Sequence, residues 1–115
     1  MLRRLAFILA LLAPATTAFA ADFVAGTEDV PLMPGLAAVA GSSVVFDKPQ
    51  GRIVEAQASG KVSRSAVQSF YGATLPQLGW KSTGANAWQR EGELLRLDFH
   101  GRDGDLTVGF SLSPL

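Results

Sequence analysis

Ser63-Arg64-Ser65-Ala66-Val67-Gln68-Ser69-Phe70-Tyr71-Gly72-Ala73-Thr74-Leu75-Pro76-Gln77-Leu78-Gly79-Trp80 is the stretch whose reading decides the fold. Val67, Phe70, Tyr71, Thr74 and Leu78 recur at helical spacing and define one apolar face, flanked by Leu75. Ser65, Ser69, Gly72 and Pro76 project on the opposite side. Ser63 or Ser65 supplies an N-cap hydroxyl, and Ser65 with Gln68 has capping-box spacing. Pro76 removes a hydrogen bond and presses its ring on the carbonyl of Gly72, which has no side chain to resist a shift. The spacing therefore predicts a tightened last turn near Leu75, a left-handed stop at Gly79, and Trp80 folding back onto Leu75.

After Trp80 the apolar period becomes two. Trp80–Thr83 and Ala87–Arg90 are expected as short strands around a Gly84-Ala85-Asn86 turn. Leu95, Leu97 and Phe99 alternate with Arg96, Asp98 and His100. Leu106, Val108, Phe110 and Leu112 alternate with Thr107, Gly109 and Ser111. Each of these two segments has one buried and one wet face. Upstream, Ser43–Asp47 and Arg52–Ala58 flank the turn Lys48-Pro49-Gln50-Gly51 and predict a hairpin. The expected fold class is α+β: a two-layer sandwich of one main helix on an antiparallel sheet, in the order β-β-α-β-β-β-β.

Residues 21–42 are expected as an extended strap, because Pro31 and Pro34 force extended geometry around them. Its Val30, Leu32, Met33 and Leu36 are expected to cover an edge of the core. Leu36 to Ala40 suits one helical turn or part of a strand equally. Residues 43–115 form the single α+β domain. Residues 1–20 have the layout of a cleaved signal peptide: basic Arg3-Arg4, an apolar run from Leu5 to Ala13, Pro14, and the small-x-small site Ala18-Phe19-Ala20. The apolar run is too short for a good membrane span, so none is expected after cleavage. Export to the periplasm, or secretion, follows as the expected location.

Cleavage after Ala20 leaves eight basic against ten acidic side chains, with no run of either sign. That balance argues against a nucleic-acid partner. With no cysteine in the chain, thiol catalysis, thiolate metal sites and disulfide staples are excluded. Arg96, Asp98 and His100, spaced two apart, share the polar side of one strand. Two potential ligands are too few for a catalytic zinc, so neither metal nor other cofactor is expected. Ser63, Ser65 and Ser69 lack a nucleophile elbow, and Glu91 and Glu93 flank a turn glycine as solubilising charges. Trp88 suits either the core or an exposed recognition patch. Trp88, Arg96, Asp98 and His100 are therefore the residues put forward as a binding face, and no residue is put forward as catalytic.

The pattern Phe70-Tyr71-x-x-x-Leu75-Pro76-x-x-Gly79-Trp80 resembles a helix-to-strand signature of small secreted or periplasmic proteins of unknown function from Gram-negative bacteria. Asp29–Leu36 and Gly51–Ala56 resemble the same group. The resemblance implies an envelope location and an α+β fold, and it carries no functional residue. A non-enzymatic binding or structural module of the cell envelope, meeting an envelope protein or a small ligand, is the expectation. A ligand pocket between helix and sheet, rimmed by Tyr71 and Trp88, is the alternative. A small hydrolase or metal-dependent enzyme using Asp98 and His100 is the third.

Overall fold

The computed structural model describes residues 22–115; the signal segment read at 1–20 lies outside them. Seven antiparallel strands and one helix follow in the order β1 (Ala37–Ala38), β2 (Val44–Lys48), β3 (Gly51–Gly60), α1 (Arg64–Gln77), β4 (Lys81–Gly84), β5 (Ala87–Arg90), β6 (Glu93–Arg102) and β7 (Asp105–Pro114). The fold is α+β, one helix on an antiparallel sheet. Across the sheet the strands run β1-β3-β7-β6-β5-β4, with β2 also on the outer edge of β3. One strand exceeds the expected order: Ala37 and Ala38 pair with Ser59 and Ala58, which settles the undecided 36–40 segment as strand.

The helix ends as its sequence dictates. The Trp80 amide donates to the Leu75 carbonyl at 3.1 Å and the Gly79 amide to that of Pro76 at 3.1 Å, with Gly79 at φ +90°. That pair of bonds is the Schellman arrangement. Pro76 and Gly72 both face solvent. At the other end the cap is Ser63, whose hydroxyl accepts from the Ala66 amide, so Ser65 and Gln68 form no capping box. Leu78 also departs from expectation. As the C-cap residue it has left the helical path and is exposed, while Leu75 takes the central buried position with Val67 and Tyr71.

These three residues pack on the sheet face formed by Val54, Ala56 and Ala58 of β3, Leu106, Val108, Phe110 and Leu112 of β7, and Leu95 and Leu97 of β6. Tyr71 meets Phe110 edge-to-face at 5.6 Å between ring centroids. Trp80 and Trp88 are buried in the same cluster.

The strap completes this core. Val24, Val30 and Leu36 are buried, and Leu32 and Met33 pack partly against the cluster. Asp22 to Leu32 double back on themselves through Val24 N–H to Val30 O and Leu32 N–H to Asp22 O, both 2.8 Å. The helix latches the strap: the Tyr71 hydroxyl donates to Pro31 O at 2.8 Å and accepts from Met33 N–H at 3.2 Å. Beyond the helix end, Asp29 receives Arg52 and Arg90, and Arg52 also donates to Glu93 at 3.1 Å. Arg90 further donates to Leu78 O at 3.0 Å and lies over the Trp80 ring, 4.6 Å from its centroid. Glu93 is thus part of a four-residue ionic seal rather than a solubilising turn charge, and its hydrogen bond is the main cause that raises the Arg52 pKa.

Burial of the Tyr71 phenol pushes its pKa up to about 12. Below the ordinary value near 10 the phenol is neutral in both folded and unfolded chains, and stability does not depend on it. Between about 10 and 12 the unfolded chain ionises and the folded one does not, so unfolding releases a proton and stability falls as pH rises. The chain has a single tyrosine. Its absorbance titration is therefore expected to have a midpoint near 12. Urea unfolding is expected to lose roughly 2–3 kcal/mol across that window, and this loss is expected to vanish in Tyr71→Phe. A titration midpoint at the ordinary tyrosine value, with the fold intact, defeats the assignment.

Candidate functional site

The helix and the strap occupy one face of the sheet, and the other face is bare. Register places its side chains in rows. Glu55 on β3 faces Ser111 on β7, which faces Arg96 on β6, which faces Ala87 on β5. In the next row Gln57 faces Gly109, which faces Asp98. The central strand carries only small residues on this side, Thr107, Gly109, Ser111 and Ser113, between longer side chains on β3 and β6. The result is a trough of about 850 Å³ that crosses the strands from Glu55 and Gln57 on β3, over Gly109 and Ser111 of β7, to β5 and the β4–β5 turn. Ser42, Asn86 and Gln89 add a hydroxyl and two amides to its lining.

Gly109 matters to this shape. A Cβ built there lies 1.9 Å from Asp98 Oδ1, so the carboxylate of Asp98 leans over the bare glycine into the trough. Its other oxygen, Oδ2, is 3.5 Å from His100 Nε2. The side chains of Asp98 and His100 are 68% and 63% exposed, and His100 lies beyond the trough. At this exposure the pair contributes little energy and has no enclosing cleft around it. Among the described residues, no group of three or more His, Asp or Glu side chains is arranged to hold a metal ion.

Comparison with protein-family models, curated proteins and solved structures gives no match for this chain.

The structure separates the four residues put forward from the sequence. Arg96 and Asp98 line the trough, His100 stands past its end, and Trp88 is on the opposite face, 5% exposed within the core. Trp88 faces inward because its partners across the ladder are Leu95 on β6 and Ser82 on β4, and Leu95 belongs to the helix-covered side. The alternative location between helix and sheet is filled: Tyr71, Leu75, Trp80, Leu95 and Leu112 are each among the fully buried side chains. Sequence reading missed Glu55, Gln57, Gly109 and Ser111 as partners of Arg96 and Asp98. The available signal was the mid-strand glycine. A glycine inside an alternating strand marks a close approach, here that of Asp98.

Among the described residues no helix is long and apolar enough to cross a membrane.

Proposed function

We propose that the protein is a non-enzymatic binding module of the cell envelope, exported by its N-terminal segment and acting through the bare, troughed face of its sheet. The observation that carries this reading is the asymmetry of the sheet. One face is sealed by helix, strap and ionic cluster, while the other keeps an open concavity of about 850 Å³ lined by hydroxyl, amide and charged groups. An uncovered concavity that mixes polar and charged groups with apolar ones such as Leu94 and Ala87 suits reversible recognition better than structural packing. The lining offers no activated nucleophile and no enclosed acid–base pair, which favours binding over catalysis.

Site-specific photocrosslinking tests this reading. A photoreactive residue at Gln57, exposed in the trough wall, is expected to capture one reproducible partner in cells. The same group at Gln77, exposed on the helix, is expected to capture none. Identical crosslinking patterns from the two positions, or none from either, count against the bare face as the working surface.

A further inference from the structure

We infer that the outer edge of β2 is a self-association surface, on which a second copy of this chain pairs its own β2 antiparallel about a two-fold axis through Val45. The inference stands independently of the role proposed for the trough. The sheet has edges of two kinds. At one end, β4 is the polar run Lys81-Ser82-Thr83-Gly84, broken by a register shift between Ser82 and Gly84. A lysine and an irregularity are devices that discourage edge pairing. At the other end, β2 pairs with β3 in unbroken register, and among the described residues its outer side pairs with nothing. Its charges, Asp47 and Lys48, stand at one end only. Val44, Val45 and Phe46 follow one another along it and are 40%, 50% and 56% exposed. A regular, apolar, unpaired edge is a template for another strand.

The order of residues along this edge selects the occupant. Ser43-Val44-Val45-Phe46-Asp47 reads polar, three apolar, polar from either end, and a two-fold axis sets a strand against its own reverse. Pairing with β3 fixes the faces. Val45 lies on the core side opposite Val54, while Val44 and Phe46 lie on the bare side opposite Glu55 and Ile53. A continuous sheet matches bare-side residues with bare-side residues, so the axis must pass through a residue and not between two. Through Val45, it sets Val44 against Phe46 of the second copy, Val45 against itself and Asp47 against Ser43. Through Phe46, it would set Val45 against Asp47 and Val44 against Lys48. Through Asp47, it would oppose two carboxylates, and through Val44 it would set Phe46 against Ser42. Only the axis at Val45 keeps every apolar side chain against an apolar one and holds the two Asp47 carboxylates apart. This axis stands perpendicular to the sheet, so both bare faces lie on the same side of one continuous sheet. The shared edge is used up, which closes the assembly at two copies. A stable complex buries about 800 Å² per partner and one short strand supplies roughly half of that, so the dimer is expected to dissociate at about 10 µM to 1 mM.

Sedimentation equilibrium of the purified protein across that range is expected to show monomer passing to dimer and nothing larger. Phe46→Lys is expected to weaken the dimer about tenfold or more, because it removes an apolar contact on each side of the axis. The chain has no cysteine, so single replacements report proximity by disulfide formation under mild oxidation. Val45→Cys is expected to crosslink to itself about tenfold faster than Thr83→Cys on the β4 edge. Val44→Cys mixed with Phe46→Cys is expected to crosslink faster than either alone. All four positions are exposed, and the near-ultraviolet dichroism of Trp80 and Trp88 checks that each variant is folded. A monomer throughout the range, a dimer untouched by Phe46→Lys, or equal crosslinking at Val45 and Thr83 overturns the inference. Growth beyond the dimer also overturns it, since β2 would then be pairing with an edge other than itself.

Discussion

Trp80→Ala is expected to destabilise the protein by about 3–5 kcal/mol, the range for emptying a large aromatic site in a packed core. Trp80 is 1% exposed and heads the fully buried side chains by volume. Its backbone closes the helix through Leu75 O, its ring underlies Arg90, and it belongs to the one core cluster to which helix, strap and sheet all contribute. Removing the indole therefore opens a cavity in that core, and it leaves the Arg90 guanidinium without its aromatic support. A domain of this size has about 5–15 kcal/mol in total, so the midpoint of urea unfolding should move far toward zero denaturant. Trp80→Phe is the informative companion. The indole Nε1 is buried without a hydrogen-bond partner, so phenylalanine keeps much of the ring volume and removes an unsatisfied donor. Its cost should be less than half that of alanine. Equal costs for the two substitutions contradict this account of the site.

Gly60→Ala is the second large effect, expected at about 3 kcal/mol or more, the upper end for forcing atoms into a filled site. Gly60 ends β3 on the core side, where the strap crosses it: a Cβ built there lies 1.9 Å from Gly35 O and 3.4 Å from Leu36 Cα. Both obstacles are backbone, so no rotamer change relieves the clash. Gly35 itself has φ +96°, and a Cβ on it meets Val62 at 3.1 Å, so the strap is hemmed in on both sides. The substitution should lift Leu36 from the core and loosen β1. Hydrogen exchange should then rise first at Val39, whose amide donates to Gln57 O. Gly72→Ala supplies the opposite sign. It lies on the exposed side of α1 with nothing within 4 Å, and alanine there should stabilise by up to about 1 kcal/mol. If both glycines tolerate alanine equally, the close crossing at Gly60 is not real.

What was legible in the sequence was local. Pro76, Gly79 and Trp80 announce the helix stop because their chemistry acts within five residues along the chain. Leu95–Phe99 and Leu106–Leu112 declare their faces because each run is long enough for its alternation to show. Ser63 against Ser65 was not decidable, since both hydroxyls stand near the helix start and only the local backbone geometry selects one. Trp88 was ambiguous for a different reason: a four-residue strand offers two positions per face, and Arg90, on the same face as Trp88, reads as polar although its guanidinium is drawn over Trp80. The ionic seal was out of reach. Asp29, Arg52, Arg90 and Glu93 come from strap, β3, β5 and β6, and nothing in their sequence neighbourhoods links them. The trough was half legible. Arg96 and Asp98 were visible as same-side charges, but Glu55 and Gln57 join them only through the pairing of β3 with β7.

That pairing also orders events in time. The last strand of the chain is an inner strand of the sheet: β7 bonds to β3 on one side and β6 on the other. Ala56 opposite Phe110 is a contact between distant parts of the sequence, made against a high loop-closure entropy. Strap, β1, β2 and β3 can pair among themselves, but the inner edge of β3 has no partner strand until Asp105–Pro114 is made. Synthesis from the N-terminus therefore leaves β3 and β6 without the strand that joins them until β7 is made.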